Sequence, residues 1–274
     1  MDDAVVDTSW QRFLAIDAGN TRVKFGVIDW AGAGAFALPQ CLADAAIAVG
    51  GAIPWRELPG EQSTPAFITG SNPGEIERIC RDWPADRTPP VVLTDRETFP
   101  IEIDVDFPDK VGIDRLLNGV AANRLRESGQ CVVIVDSGTA TTVDCVDAEG
   151  RFCGGAILPG FDLCARALHQ YTALLPVIEM SSVLQSDAAP AELGRNTEAA
   201  ITGGLYWGHV GAVKELVGRL SGHDEPGQES LLLLTGGAAP LLHPHLSANA
   251  RMEPHLALQG LAIVAASQSS SDQP

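Results

Sequence analysis

Two short segments of the chain repeat one pattern, and this repeat constrains the fold more than any other feature. In FLAIDAGNTRVKFGVI and in VVIVDSGTATTVDCV, an apolar run ends at an aspartate, a glycine-containing turn follows, and apolar residues then resume. Short apolar runs bounded by turn residues are typical of buried strands, and alternation is typical of half-buried ones. Each segment therefore predicts a hairpin whose bend carries an acidic residue.

The rest of the chain alternates predicted strands and helices, which indicates an α/β fold. Strands are predicted at 65–69, 90–94, 151–158 and 231–234. Helices are predicted at 75–83, 160–171 and 256–267, from about Gly112, and from the end of GRNT at 194–197 to about Leu220. Because the two hairpins echo each other, we expect two related domains, 12–126 and 127–268. Residues 1–11 and 269–274 are polar and are expected to be disordered tails.

Charge and composition exclude several classes of function. The net charge is −17, and the 18 Lys and Arg residues are scattered, so a nucleic-acid partner is not expected. A phosphate-handling enzyme with this charge needs cations, which makes a divalent metal such as Mg²⁺ a physical expectation. The start of the chain is acidic and no apolar run reaches membrane-spanning length, so we expect a cytoplasmic protein without membrane contact.

The first turn, DAGNT at 17–21, has the chemistry of a phosphate site. Its glycine lets backbone N–H groups point at a phosphate, and Asn20 and Thr21 can donate to the same oxygens. Asp17 would act through Mg²⁺ and its waters, since a carboxylate repels phosphate. An ordinary hairpin turn uses the same residue types, and alone this turn leaves both interpretations open. The second turn, DSGT at 136–139, repeats the device and strengthens the phosphate interpretation.

Two further motifs carry alternatives. Thr235-Gly236-Gly237 follows the last predicted strand, where glycines permit either close approach of adenine or ribose or a strand-to-helix turn. In GIDR at 112–115, Asp114 can accept a proton from an attacking hydroxyl, and Arg115 can bind a carboxylate or phosphate. The competing interpretation of GIDR is stabilisation of a helix N-terminus by Asp114 beside a solvated Arg115.

Together these motifs resemble those of the type III pantothenate kinases, in the superfamily of acetate and sugar kinases, Hsp70 and actin. The matching pieces are DAGNT at 17–21, VGIDR at 111–115, VDSGTATTVD at 135–144, GGAILPG at 154–160, TALLP at 172–176 and GRNT at 194–197. The resemblance implies two ribonuclease-H-like, actin-like ATPase domains with ATP in a cleft between them. It also implies ATP-dependent phosphorylation of pantothenate, the first step to coenzyme A, by a homodimer.

The resemblance also implies roles for individual residues. The general base is Asp114, and Asp136 binds a monovalent cation, potassium or ammonium, in addition to the Mg²⁺ near Asp17. The ATP-binding residues are Asp17, Ala18, Gly19, Asn20, Thr21, Arg22, Val23, Lys24 and Thr139. The substrate-binding residues are Val105, Gly112, Ile113, Asp114, Arg115 and Thr197.

One position departs from the family pattern. The family usually has a tyrosine where this chain has Val105, so one wall of the substrate pocket and one possible hydrogen bond are lost. If the segment is extended, Phe107 points to the same side as Val105 and fills part of the volume. The chain has no GxxxxGK[ST] pattern, which excludes a Walker-type kinase.

Two alternative functions remain open at this stage. One is another small-molecule kinase on the same fold, because a fold does not define the acceptor. The other is a non-catalytic ATP-binding regulator, against which the intact Asp17, Asp114 and Asp136 argue.

Overall fold

A computed structural model describes residues 11–30, 37–58, 61, 63–180, 183, 188–221 and 229–271. The tail predicted at 1–11 lies outside these residues except for Gln11, and so does 272–274. The last helix runs to Ser271, three residues into the segment predicted as a C-terminal tail.

The described residues form ten strands and six α-helices. The strands are β1 Arg12–Ala18, β2 Arg22–Asp29, β3 Gln40–Ala48, β4 Ala66–Thr69, β5 Val91–Val92, β6 Val132–Ser137, β7 Ala140–Val146, β8 Phe152–Pro159, β9 Leu231–Thr235 and β10 Arg251–Met252. The helices are α1 Pro73–Arg81, α2 Ile113–Leu125, α3 Phe161–Gln170, α4 Thr197–Leu220, α5 Ala239–Leu242 and α6 Leu256–Ser271.

Unit 1 contains the described residues of Met1–Glu127, Gly150–Phe152 and His255–Pro274. Its sheet has the strand order β3-β2-β1-β4-β5. Strand β1 pairs antiparallel with β2 and parallel with β4, so β1 lies in the middle of the sheet. Residues Phe13–Ala18 of β1 are all buried, as expected for a central strand with its faces covered.

Unit 2 contains the described residues of Ser128–Glu149 and Cys153–Pro254. Its sheet has the strand order β10-β9-β6-β7-β8. Strand β6 pairs antiparallel with β7 and parallel with β9, which is the arrangement of β1 with β2 and β4. The two sheets therefore share one topology, and the fold class predicted from the repeated hairpins, two related α/β domains, is confirmed.

Helix α1 illustrates how local sequence sets an element. The side chain of Asn72 accepts a hydrogen bond from the Glu75 N–H at 3.2 Å and so caps the helix, while Pro73 occupies its first turn. The Glu75 carboxylate is buried against Arg78 at 2.5 Å, and this pairing lowers the pKa of Glu75. Glu75 also accepts from the Gly50 N–H at 3.3 Å, which ties α1 to the turn after β3.

Helix α6 packs against α2 within unit 1. At Gly260 the helices approach so closely that an added Cβ would lie 2.0 Å from the Leu117 carbonyl oxygen. The side chain of Gln259 donates to the Pro39 carbonyl at 2.9 Å. The predicted division at 126–127 assigns α6 to the second domain, whereas its contacts place it in unit 1. The remaining boundaries of that division stay a prediction.

Within the described residues, no helix combines the length and the apolar character that crossing a membrane requires.

The contact at Gly260 yields a stability prediction. We expect Gly260→Ala to lower the free energy of unfolding by about 1–3 kcal/mol, because α2 and α6 must separate to admit the methyl group. The matched control is Gly218→Ala on α4, where nothing lies within 4 Å of the added Cβ. Higher helix propensity should make that control stabilising by about 0.5–1 kcal/mol. Urea unfolding measures both, and an unchanged Gly260→Ala protein would contradict the packing.

Candidate active site

The first predicted phosphate turn joins β1 to β2. The Gly19 N–H donates to the Arg22 carbonyl at 3.0 Å and closes the bend. The residues of the bend that point into solvent are Asn20, Thr21 and Arg22, whereas Ala18 and Val23 are fully buried. Ala18 and Val23 can therefore contribute to a ligand site only through their backbone, whereas the exposed Asn20, Thr21 and Arg22 carry side-chain donors of the kind that bind phosphate.

Asp17 lies at the end of β1 and is 4% exposed. Its partner in the antiparallel register is Lys24, whose Nζ lies 3.9 Å from Asp17 Oδ2. Its partner in the parallel register is Thr69 at the end of β4, whose buried Oγ1 has no hydrogen-bond partner among the described residues. Side chains of register partners project from the same face of a sheet. A buried carboxylate beside an unsatisfied hydroxyl and an ammonium group fits a hydrated Mg²⁺ with its phosphate.

A loop that sequence analysis did not assign to the site packs against this turn. Asn20 Nδ2 donates to Ser71 Oγ at 3.2 Å, and the Asn72 N–H donates to the Ala18 carbonyl at 3.1 Å. Gly70 has a φ of +148°, and an added Cβ would lie 2.2 Å from the Ala18 oxygen. The end of β4 is thus clamped onto the hairpin, and Gly70 is the residue type that permits the clamp.

The second predicted turn, Asp136–Thr139, is held by backbone hydrogen bonds from three directions. Within the turn, the Gly138 N–H donates to the Ala140 carbonyl at 3.0 Å. From the start of α3, the Gly160 N–H donates to the Thr139 carbonyl at 3.0 Å. From the start of α5, the Ala238 N–H donates to the Ser137 carbonyl at 2.9 Å. These three contacts restrain the backbone of the turn.

Gly236 and Gly237 have different environments. The difference bears on the two interpretations of Thr235-Gly236-Gly237, close approach of a ligand and a strand-to-helix turn. Gly236 has a φ of +89°, and an added Cβ would lie 2.5 Å from Asp136 Oδ1 and 2.6 Å from the Ser137 oxygen. An added Cβ at Gly237 would meet nothing within 4 Å. Gly236 is therefore required by the strand-to-helix turn itself, while Gly237 leaves open space that a ligand could approach.

Asp136 lies in a setting that suits a cation. It is half-buried at the end of β6. Its antiparallel register partner is Thr142, whose buried Oγ1 has no hydrogen-bond partner within the part of the chain that the structure describes. Its parallel partner is Thr235, the residue before Gly236. A carboxylate, hydroxyls and backbone carbonyls are hard oxygen donors, and potassium, like other hard cations, binds such ligands. The donor set therefore fits the predicted monovalent cation.

The two turns are built alike in more than sequence. In each unit the central aspartate pairs in parallel register with a threonine, Asp17 with Thr69 and Asp136 with Thr235. In each unit a glycine of positive φ follows that threonine. The third residue after the threonine donates its N–H to the carbonyl of the residue after the aspartate. The Thr-Gly pairs at 69–70 and 235–236 are the sequence signal that would have identified the loop after β4.

The GIDR motif opens α2. Gly112 is the N-cap, and an added Cβ there would lie 2.5 Å from Asp114 Oδ1, so the glycine makes room for the carboxylate. Asp114 Oδ1 accepts from the Arg115 N–H at 3.0 Å. Ile113 is buried in the core, whereas Asp114 and Arg115 are half-buried. The carboxylate is therefore oriented by the helix start, and its other oxygen, Oδ2, takes no part in that contact.

Phe152 connects Arg115 to the segment that carries Val105. The Arg115 guanidinium lies 5.4 Å from the centre of the buried Phe152 ring. The Phe152 N–H donates to the Glu102 carbonyl at 2.8 Å, and its own carbonyl accepts from the Asp104 N–H at 2.9 Å. Val105 follows directly and is half-buried.

The expectation for Phe107 is wrong. The chain bends at Val105–Asp106 instead of continuing as an extended segment, and the Phe107 side chain is 67% exposed. Phe107 therefore does not fill volume beside Val105 in this structure.

Thr197 is the first residue of α4 and lines a cavity of about 520 Å³ in unit 2. The cavity is also lined by Leu168 and Leu175 from the region of α3 and by Arg195. The residue that caps α4 is Asn196, whose Oδ1 accepts from the Ala199 N–H at 2.8 Å. Thr197 is therefore not the helix cap, and its hydroxyl is available to a ligand in the cavity.

The cysteines do not offer competing chemistry. All six are free, and burial raises the pKa of the Cys41 thiol to about 11, so it stays protonated near neutral pH. Burial also raises the pKa values of Cys80 and Cys164.

Among the described residues, no group of three or more His, Cys, Asp or Glu side chains is placed to bind a metal ion.

The fold is shared with solved structures of low sequence identity. A protein described as a Baf family transcriptional activator from Campylobacter jejuni matches at a TM-score of 0.53 and 19% identity, covering 94% of this chain and 100% of that one. A protein described as a 2-dehydro-3-deoxygalactonokinase from Sinorhizobium meliloti matches at 0.51 and 15%, covering 95% and 100%. The fold is that of the actin-like ATPases and sugar kinases.

Sequence relatives define the family within this class. The model of the type III pantothenate kinase family matches residues 13–219. The type III pantothenate kinase of Gluconobacter oxydans is 35% identical over 266 residues, which covers 92% of each chain. That of Acidiphilium cryptum is 32% identical over 268 residues, covering 92% of this chain and 93% of its own. The chain belongs to the type III pantothenate kinase family and is a kinase.

Gly236 and Gly237 provide a matched pair of variants for the second turn. We expect Gly236→Ala to weaken MgADP binding at least about tenfold and to lower stability, because the methyl group displaces Asp136 and strains a left-handed backbone. Gly237→Ala should leave stability unchanged. Calorimetric titration and thermal melting measure both properties. Equal behaviour of the two variants would contradict the assigned role of Gly236.

Proposed function

We propose that the protein transfers the γ-phosphoryl group of ATP to the primary hydroxyl of pantothenate and so forms 4'-phosphopantothenate, the first step of coenzyme A biosynthesis. The family match along nearly the whole chain supports the substrate. The observation that carries the mechanism is the Asp114 carboxylate, which a glycine N-cap and the Arg115 N–H orient at the start of α2.

Asp114 is the proposed general base. Phosphoryl transfer needs placement and charge compensation more than covalent help, so the base has one task, to accept the hydroxyl proton as the new bond forms. The proton passes to the Asp114 carboxylate, whose Oδ1 accepts from the Arg115 N–H. The contact with a backbone N–H also prevents rotation of the carboxylate away from the substrate.

Arg115 is the proposed anchor for the acceptor. Its guanidinium, which carries five N–H donors, lies over the Phe152 ring. Those donors suit the carboxylate of pantothenate in a bidentate contact. Thr197, which lines the cavity at the start of α4, is the proposed hydroxyl contact to the same substrate. Because family members usually have tyrosine at the position of Val105, we expect a more open substrate pocket.

The hairpin at Asp17–Lys24 is the proposed site for the ATP phosphates. Asn20, Thr21 and Arg22 are exposed donors, and Gly19 keeps the bend tight. Thr139 in the second turn is the proposed ATP contact of unit 2. Asp17 with Thr69 is the proposed outer-sphere holder of Mg²⁺, which when bound offsets phosphate charge.

Asp136 with Thr142 is the proposed site of potassium or ammonium. The chain has a net charge of −17, and 18 Lys and Arg residues serve 274 positions. A bound monovalent cation would add positive charge near the transferred group without a lysine.

We further propose that the enzyme is a cytoplasmic homodimer. Unit 2 exposes large apolar side chains between the end of α3 and the start of α4, among them Leu174 at 92% and Tyr171 at 80% exposure. Val177 and Leu193 add to this apolar surface. Large exposed apolar side chains are typical of subunit interfaces, and these four lie in the chain segments that also line the cavity at Thr197. Six free cysteines are in keeping with a reducing compartment.

The base assignment is tested by Asp114→Asn, which keeps size and removes the proton acceptor. We expect kcat to fall by about 10²–10⁴-fold, with MgADP affinity nearly unchanged. The control is Asp109→Asn, in the exposed turn before α2, which should behave as wild type. If Asp114→Asn retained most of its turnover in a coupled ADP-release assay, another group would be the base.

The cation assignment is tested by ion replacement at constant ionic strength. Turnover should require potassium or ammonium and be poor in sodium alone, and potassium should raise the melting temperature of the wild type. Asp136→Ala should abolish the potassium dependence of both quantities. Full turnover without potassium and ammonium would refute the assignment.

The interface is tested by Leu174→Asp, because a charge placed on the apolar surface opposes association. We expect the wild type to sediment as a dimer and this variant as a monomer, with Leu42→Asp, an exposed position in unit 1, remaining dimeric. A monomeric wild type at micromolar concentration would contradict the homodimer.

A further inference from the structure

A chain of three buried polar side chains lies behind the second turn. Ser137 Oγ lies 3.1 Å from Thr141 Oγ1, and Thr141 Oγ1 lies 3.0 Å from Nε2 of His209. Ser137 and Thr141 are fully buried and His209 is 7% exposed. Ser137 immediately follows Asp136 in the turn, while His209 lies in the middle of α4. This hydrogen-bonded chain of side chains therefore links the turn to a helix that is remote from it in sequence.

His209 reaches the turn by a second route. Its ring centre lies 4.2 Å from that of Phe161, the first residue of α3. Phe161 directly follows Gly160, whose N–H donates to the Thr139 carbonyl at 3.0 Å. The imidazole thus supports both ends of the turn, one through two hydroxyls and the other through an aromatic contact.

Burial also defines the state of the imidazole. It lowers the pKa of His209 below the usual value, so the ring is neutral near pH 7. A neutral imidazole has one donor and one acceptor nitrogen, and Thr and Ser hydroxyls can each donate and accept. The three groups can therefore form one continuous hydrogen-bonded chain, which fixes the orientation of every member.

We infer that His209 is a positioning residue for the nucleotide-binding turn Asp136–Thr139 and acts on it through Thr141 and Ser137. By fixing the Ser137 side chain, it keeps the backbone N–H groups and the Asp136 carboxylate oriented before the nucleotide arrives, which reduces the ordering cost of binding. The inference rests on the proposed function, since it takes this turn to bind the nucleotide.

The alternative is that His209 only satisfies buried hydroxyls and contributes stability. The two roles predict different effects when a variant breaks the hydrogen bonds that join Ser137, Thr141 and His209. A stabilising role predicts a lower melting temperature with unchanged nucleotide affinity in the folded protein. A positioning role predicts weaker MgADP binding, with the pantothenate KM unchanged.

The test uses the full-length protein and three variants, Thr141→Val, His209→Leu and His209→Gln. Thr141→Val is nearly isosteric and breaks the chain at its centre, so it remains informative if His209→Leu does not fold. We expect Thr141→Val and His209→Leu each to raise the Kd of MgADP by about 2- to 10-fold, the value of one neutral hydrogen bond. His209→Gln, which retains a donor and an acceptor, should restore most of the affinity.

Two further variants sharpen the result. The double variant Thr141→Val/His209→Leu should bind MgADP no more weakly than either single variant, because all three break the same chain. Val213→Ala, a buried position on the same helix outside the chain, should lower stability without changing the Kd. MgADP titration needs no acceptor, so its outcome is separate from whether pantothenate is phosphorylated. Unchanged MgADP affinity in folded Thr141→Val would overturn the inference.

Discussion

Both halves of the molecule depend on one backbone contact, made where a central strand ends at an aspartate. The residue after that aspartate, Ala18 or Ser137, accepts a hydrogen bond from the chain that leaves the parallel neighbouring strand, at 3.1 and 2.9 Å. The approach leaves no space for a Cβ at Gly70 or Gly236. These contacts fix the turns in place, and each proposed role of a turn residue presupposes that fixed geometry. Preorganised donors of this kind are what phosphoryl transfer requires.

Electrostatics explains why such a site would require bound cations. Two aspartates lie at the strand ends where phosphates are proposed to bind, in a protein of net charge −17. Lys24 lies 3.9 Å from Asp17, a distance at which the ion pair offsets the carboxylate only in part. Unsatisfied hydroxyls of Thr69 and Thr142 stand beside the two carboxylates. The same features that would repel ATP are the oxygen donors proposed to hold Mg²⁺ and a monovalent cation.

The sequence predicted those parts of the fold that are set by local patterns. Apolar runs identified the central strands, because burial patterns act within a few residues. Strand β3 was not predicted, since QCLADAAIA is rich in alanine and acquires its strand conformation from pairing with β2. The close contact of Gly260 with Leu117, which places α6 in unit 1, joins residues far apart in the chain.

The candidate site shows the same contrast between features set by local sequence and features set by long-range contacts. The motif residues were predicted because they occur together at turns, whereas the loop at Gly70–Asn72 and the support from His209 depend on long-range pairing. Phe107 was misjudged because a bend at Val105–Asp106 changes the direction of the chain.

The central claim is that the protein phosphorylates pantothenate at the site organised by these turns. It is tested most directly by incubating purified protein with MgATP, potassium and a panel of hydroxyl and carboxylate acceptors, and by identifying the product with ³¹P NMR and mass spectrometry. The account predicts a phosphomonoester of pantothenate, formed in a one-to-one ratio with ADP, and much less product from the other acceptors. ADP release that is independent of pantothenate, or faster phosphorylation of a different acceptor, would contradict it.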